Sequence, residues 1–419
     1  MGDRSTIEQA TPVTGVDPVA GALAGFEPIR PPRLRVLARN FWWMQLALLA
    51  IDAVVFPLAS NGDFPPATGY DWLRIGLAVS PHLFVALGMG LALSVLYRAG
   101  RTIGRLWDRN VLYPRADTTV DPAISPPDRT RVAPHLTRFI NELGAALNPS
   151  GAWRNPQWWL SLSFVASFVI LFFAFFPAGG WPWGFPFRVG HHVALWLRVI
   201  LILDGAVQVG LTAVLALVAH RLVTLAVEII RLARTFDVHL LLQHPDKSGG
   251  LGPLGDLCFS IAAIWGVAAV YPTAWLATLF LAPIARPLLL LHLTVYFAVL
   301  LGLTFTLALA TFFVPIYFVH RAMDRARRRM QPHLDALARQ VDVLSGQVIS
   351  ATEVLDERRA EELGTKLAAV QQTYAASASL PSWPFDGKVF VKYIGTTVIP
   401  LSGITAWLPA LVKKMVTGS

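Results

Sequence analysis

The chain is short of cysteine and of charge, and each shortage excludes something. Its 419 residues hold one cysteine, Cys258, so no disulfide can form within the chain. Asp, Glu, Lys and Arg make up 15% of it, against roughly a quarter in ordinary soluble domains. With 54% hydrophobic residues and a mean hydropathy of +0.52, it has more apolar side chains than a water-surrounded core can hide. Also missing are a P-loop, a Rossmann fingerprint, a zincin motif and a nucleophile–base pair, so no enzymatic activity is expected. The stretch MGDRSTIEQATPVTGVDPVAGALAGFEPI, residues 1–29, has no basic region leading into an apolar run and therefore reads as no cleavable signal. Rich in Pro, Gly, Ala and Thr, it is expected to be a disordered cytoplasmic tail.

What the sequence has instead is long apolar runs. A helix needs about 20 apolar residues to cross a bilayer. Six segments qualify: Phe41–Ser60, Ile75–Tyr97, Trp158–Ala178, Val189–Ala219, Leu257–Pro283 and Leu288–Val319. Trp42, Trp43, Trp158, Trp159 and the WPWGF run at 181–185 supply interfacial aromatic belts. Arginines orient the spans. Arg30, Arg33, Arg35 and Arg39 precede the first, and Arg98, Arg101, Arg105 and Arg109 follow the second. Arg221, Arg231 and Arg234 follow the fourth; Arg321, Arg325, Arg327, Arg328 and Arg329 follow the sixth. Alternate loops carry little beyond Arg74, Arg188 and Arg286, so the N-terminus and the loops after even-numbered spans read as cytoplasmic. The formal charge of +9 belongs to this pattern, which fits anionic lipid headgroups, and no nucleic-acid partner is expected. The fold expected is all-α, a polytopic helical bundle with cytoplasmic helical extensions.

Its regions read as a tail at 1–29, two spans within 30–97, a cytoplasmic linker with an amphipathic helix at 98–156, and four spans within 157–320. The HPDKSGGL loop at 244–251 falls among the last four, a cytoplasmic helical hairpin follows at 321–380, and a C-terminal segment fills 381–419. The apolar pattern of the fourth span continues to about residue 235, some 65 Å of helix. Beyond the sixth, Leu334, Leu337, Val341, Leu344, Val348, Ala351 and Leu355 form a heptad seam. A second stripe (Leu363, Leu367, Val370, Tyr374) follows a turn within EVLDERRAEELG. The two stripes pair either as an internal hairpin or between subunits. In the C-terminal segment Lys392, Pro400, Gly403 and Pro409 oppose a continuous lipid-exposed helix. It reads as an interfacial helix, or as a broken seventh span or re-entrant segment with Thr397, Pro400 and Gly403 lining a pathway.

The loop LLQHPDKSGGLGPLGDL, residues 241–257, concentrates His244, Pro245, Asp246, Lys247, Gly249 and Gly250 between two apolar runs. Its HPD tripeptide matches the J-domain turn, yet an apolar span follows at once where a J-domain needs a soluble helix. His239, His244, Asp246 and Asp256, with His220 and His320 at span ends, are residue types that hold metals, but their spacing is no established ligand pattern. The third reading is structural: tight turns at Pro245 and the glycines, with Asp246 or Asp256 accepting backbone N–H groups and Asp256 capping the fifth span. Free glycine N–H groups beside Lys247 would make an anion-binding concavity. No metal or cofactor is expected.

The run HPDKSGGLGPLG resembles an HPD-x-x-GGL-x-x-LG signature of an uncharacterised family of multi-pass bacterial membrane proteins. The same family carries a C-terminal WPFD-like element, present here as Trp383, Pro384, Phe385 and Asp386. The resemblance covers these two short stretches. It implies a bacterial inner-membrane location and carries no chemistry with it.

Ionisable groups at membrane depth are costly, and so tend to be paired or functional. Asp52, His82 and Arg198 share a depth of roughly 12 Å below the outer surface, which allows a buried Asp52–Arg198 pair with His82 beside it, while Asp204 sits near the midplane. Such groups either fix helix packing or line a polar vestibule. Thr304, Thr306 and Thr311 are expected to bond their own helix. Together these features favour a channel-like or solute-conducting homo-oligomer with a cytoplasmic regulatory region. The alternative is a membrane sensor or scaffold signalling through its cytoplasmic helices to a soluble partner.

Overall fold

The computed structural model describes residues 17–28, 32–59, 81–115, 128–148, 195–241, 244, 246, 248–281, 287–354, 356–378, 383–384, 391 and 395. Its elements run α1 (Pro18–Ala24), α2 (Pro32–Ala59), α3 (Pro81–Asp108), β1 (Leu112–Pro114), α4 (Arg129–Leu147), α5 (Leu195–Thr235), β2 (Phe236–Val238), α6 (Gly252–Leu281), α7 (Pro287–Glu353) and α8 (Glu357–Ala378). The fold is all-α apart from one two-stranded ribbon.

Among the described residues, three helical stretches have the length and apolarity to cross a membrane: His82–Asp108, Gly252–Phe280 and Leu293–Glu353. They overlap the second, fifth and sixth expected spans. α2 contains nearly all of the first, and α5 most of the fourth. The third, Trp158–Ala178, lies outside the described residues, as do Thr397, Pro400 and Gly403. α5 ends at Thr235, where the apolar pattern said it would.

Residues 17–28 correct an expectation. They fall in the stretch read as a disordered tail, yet they fold. Asp17 caps α1 by accepting N–H groups of Val19 at 2.9 Å and Ala20 at 3.4 Å, and it also accepts Trp107 Nε1–H at 3.0 Å. Val19 is fully buried, and the Phe26 ring fills the notch left by Gly100 on α3, where a Cβ would stand 2.8 Å from it. A capped turn carrying Val19, Leu23 and Phe26 thus has a surface to bury against, which overrides a composition typical of tails.

Fully buried side chains occur both among the apolar helices, as at Phe41, Met89, Phe297 and Phe312, and at the end where α4 and the ribbon pack, as at Leu96, Leu106, Leu136, Ile140, Leu143 and Phe236. α4 contributes an amphipathic face, starts at Arg129 with Asp128 as its cap, and ends where Arg221 Nε donates to Leu147 O at 2.9 Å. Phe139 meets Phe236 edge to face with centroids 6.0 Å apart. Asn110, with φ 54°, supplies the left-handed turn that ends α3. The ribbon follows directly: Leu112 faces Val238, Tyr113 faces Asp237 and Pro114 faces Phe236, all buried. His239 N–H donates to Val111 O at 2.8 Å and Arg115 N–H to Thr235 O at 3.1 Å, extending the ladder at both ends.

α7 is continuous for 67 residues, about 100 Å of helix. Pro315 and Pro332 each lack an N–H within it, and the helix nevertheless runs on. At its far end Asp356 caps α8, its carboxylate accepting Arg359 N–H at 3.2 Å and its carbonyl accepting Ala360 N–H at 2.9 Å. α8 then packs back along α7. Leu334, Leu337 and Ala351 of the heptad seam are buried, while Val341, Leu344, Val348, Leu363, Leu367 and Val370 are half-buried. Tyr374 is exposed and Leu355 lies outside the described residues, and the two stripes pack against each other within the chain.

Candidate functional site

The ribbon sets the end of α3 beside the loop that opens α6, and Asp246 sits between them. Its Oδ1 accepts Ser248 N–H at 3.0 Å and Gly250 N–H at 3.2 Å, and its Oδ2 accepts Gly252 N–H at 3.2 Å. Arg109 Nη1 donates to the same Oδ2 at 2.7 Å and to Gly250 O at 2.7 Å, tying α3 to the loop. His244 Nδ1 lies 3.2 Å from Asp246 N, whose hydrogen it accepts when that ring nitrogen is bare. The same nitrogen lies 2.8 Å from Oδ1, to which it donates when protonated. Burial pushes the Asp246 carboxyl up, but the N–H groups of Ser248 and Gly250, with His244 and Ser248 side chains, outweigh it and hold it at about 2. The carboxylate is a fixed negative charge.

This arrangement corrects two details of the loop. Asp256, expected as the cap of the fifth span, is an exposed residue inside α6, because the helix already starts at Gly252. The first N–H of α6 is taken by Asp246 instead. Nor are the glycine N–H groups free to cradle an outside anion, since the chain's own carboxylate uses those of Gly250 and Gly252. Pro245 and Lys247 lie outside the described residues.

Gly249 and Gly250 adopt φ +63° and +92°, which disfavour any side chain. A Cβ on Gly250 would also stand 2.8 Å from Val111 Cγ1 and 3.2 Å from Leu241 Cδ1. Gly250→Ala is expected to cost about 2 kcal/mol through strain and overpacking, read as a lower melting temperature of the detergent-purified protein.

A second carboxylate, unmarked in the sequence reading, holds the ribbon to α7. Asp237 is 3% exposed, receives Arg325 Nε at 3.3 Å on Oδ1, and pairs with Arg329 Nη2 at 2.8 Å on Oδ2. Arg325 Nη2 also donates to Ala233 O at 3.1 Å, at the end of α5. The Arg234 guanidinium lies 4.3 Å over the Phe318 ring. Beside the ribbon, Arg231 pairs with Glu142 and Glu228, joining α5 to α4.

The intramembrane polar residues are placed in part. His82 Nδ1 donates to Gln45 Oε1 at 2.8 Å, both residues buried, and this tie joins α2 to α3. Gln45 is uncharged and so lacks the cost that marks an ionisable group at membrane depth. Asp52 lies in α2 and Arg198 and Asp204 in α5, with their side chains outside the described ones. Thr304, Thr306 and Thr311 donate to carbonyls of their own helix at Leu300, Gly302 and Leu307, at 2.7 to 3.0 Å, as expected. Among the described residues no group of three His, Cys, Asp or Glu could hold a metal. His239 instead meets Tyr113 edge to face at the ribbon.

Fold and site together define a class: an all-helical protein with membrane-length helices, whose loop carboxylates lock several of those helices at one end. Against known proteins, the chain matches no family model, no curated protein and no solved structure.

Proposed function

We propose that this chain is a multi-pass scaffold or sensor of the bacterial inner membrane, built on six spans and a C-terminal segment. Its N-terminus faces the cytoplasm, and its α7–α8 hairpin presents a docking surface to a soluble partner there. The observation that carries the proposal is the continuity of α7 from apolar stretch to hairpin tip, with Asp237 gripping it through Arg325 and Arg329 on the way. An element gripped in this way moves as one body with the bundle. Boundary chemistry supports the orientation. The exposed apolar stripes of α3 and α7 give way to exposed Tyr97 and Tyr317, followed by Arg98 and Arg321. The resemblance of the 244–251 loop fits the same location.

The test is site-specific photo-crosslinking in cells, with benzoylphenylalanine placed at Val343, Ile349 and Val354, which are 58 to 78% exposed. The expected result is a discrete adduct with a soluble protein from these positions and none from lipid-facing Val299. Absence of any adduct, or adducts only between copies of the chain, overturns the proposal.

A second reading, conduction by a homo-oligomer, is favoured by one observation. Trp383 stacks on His320 with ring centroids 4.3 Å apart and 12° between planes, so the chain after α8 returns to α7 just beyond its apolar stretch. Thr397, Pro400 and Gly403 follow. Unitary currents in planar bilayers that change with Pro400→Ala or Gly403→Ala would favour this reading over the first.

A further inference from the structure

The face of α3 that points away from the bundle changes character along its length. Leu83, Leu87 and Leu91 are 39 to 48% exposed, and Tyr97 is 43% exposed. Arg98, Arg101 and Arg105 follow, all exposed. At 100° per residue these seven positions fall within about a third of the helix circumference. The arginines therefore continue the lipid-facing stripe and do not turn toward the core. The opposite side of this segment is occupied: Ala99, Ile103 and Leu106 are in the core, Gly100 receives Phe26, and Gly104 receives Leu23 of α1.

Several arginines elsewhere are engaged. Arg109 holds Asp246, Arg325 and Arg329 hold Asp237, Arg231 holds Glu142, and Arg328 holds Asp324. Among the described residues, Arg98, Arg101 and Arg105 have no such partner. They climb the helix by about 10 Å, enough to pass through one polar headgroup layer. Three unpaired guanidiniums in line with a hydrocarbon-facing stripe match the phosphates of lipids whose tails would lie along Leu83, Leu87 and Leu91. The attraction is that of positive charge to net-negative headgroups, which any basic side chain at these positions supplies.

We infer that this stripe of α3 is a docking strip for anionic phospholipid headgroups, selecting phosphatidylglycerol-type over zwitterionic lipids. The inference rests on α3 crossing a membrane and is independent of what the hairpin binds. The full chain in detergent micelles is titrated with phosphatidylglycerol or phosphatidylcholine, and bound lipid is counted by native mass spectrometry. The wild type should bind phosphatidylglycerol more tightly than phosphatidylcholine. The triple variant Arg98→Gln, Arg101→Gln, Arg105→Gln should bind its first phosphatidylglycerol at least about fivefold more weakly, the effect of roughly one basic residue at an anionic surface. A triple lysine variant at the same positions should keep most of the preference. Removing the hairpin arginines by Arg358→Gln and Arg359→Gln, an equal kind of charge change far from α3, should leave it intact. The inference is overturned by equal binding of the two lipids to the wild type, or by an unchanged glutamine variant. It is equally overturned if the hairpin variant falls as far, which marks a net-charge effect, or if the lysine variant does, which marks a structural one.

Discussion

Asp246→Ala is expected to destabilise the protein by about 4 kcal/mol, because it removes the acceptor for three backbone N–H groups and strands the Arg109 guanidinium. The side chains involved are 18% and 27% exposed, so water can replace only part of what is lost. Thermal unfolding in detergent measures the total, and hydrogen exchange at Ser248, Gly250 and Gly252 shows whether the loss begins in the loop. Protection at those amides equal to wild type would refute the assignment of Asp246 as their acceptor. Asp246→Asn keeps an acceptor oxygen and loses the charge, so it should fall between the two. The pH dependence has a definite sign. The folded carboxyl sits at about 2, below its ordinary value of 3.8, so its contribution is complete above about pH 4 and disappears as pH falls through 2. Wild type should lose about 2 kcal/mol of stability across that window through this group, and Asp246→Asn should lack that component.

The second large effect is expected at Asp237. Its side chain is 5% exposed and faces two arginines, so Asp237→Ala leaves both cations without their acid at the junction of ribbon and α7. The cost is about 3 kcal/mol, at the lower end for a broken buried pair because Arg325 and Arg329 are 30% and 43% exposed and can rehydrate. Two readouts separate local from global damage. Amides of Leu112, Tyr113 and 236–238 should lose protection, while any photo-crosslink from Val343 to the proposed soluble partner should weaken even where the helices remain folded. A variant with wild-type melting and wild-type ribbon exchange would remove Asp237 from its coupling role.

The sequence showed well the features that rest on periodicity. The 3.6-residue apolar pattern located α6 and the apolar half of α7, carried α5 through to Thr235, and marked both stripes of the α7–α8 hairpin, because helix burial depends on local spacing. The loop was legible in composition alone. HPDKSGG announced a turn and an N–H-accepting aspartate, but Arg109 lies 137 residues from Asp246, and nothing in either neighbourhood names the other. Asp237 looked unremarkable for the same reason, since its arginines arrive from α7, 88 residues away for Arg325. The three-residue strands fell below any pattern detectable by alternation. Residues 17–28 were misjudged because composition reports the tendency of an isolated segment to be disordered, and is silent about a complementary groove such as the one along Gly100 and Gly104. Gln45 was passed over because an uncharged amide breaks no hydropathy rule, although its bond to His82 joins two helices.

The reach of α7 beyond His320 has a mechanical consequence. From there to Glu353 the helix spans about 50 Å, and it is seized near its base by the Asp237 pair. That geometry is a lever arm with a short grip and a long throw: the arm beyond Arg325 and Arg329 is about 40 Å, so a tilt of about 10° at the fulcrum would sweep the tip through about 7 Å. Displacements too small to alter helix contacts inside the bilayer would thus become, at Val354, a movement of more than half the width of a helix.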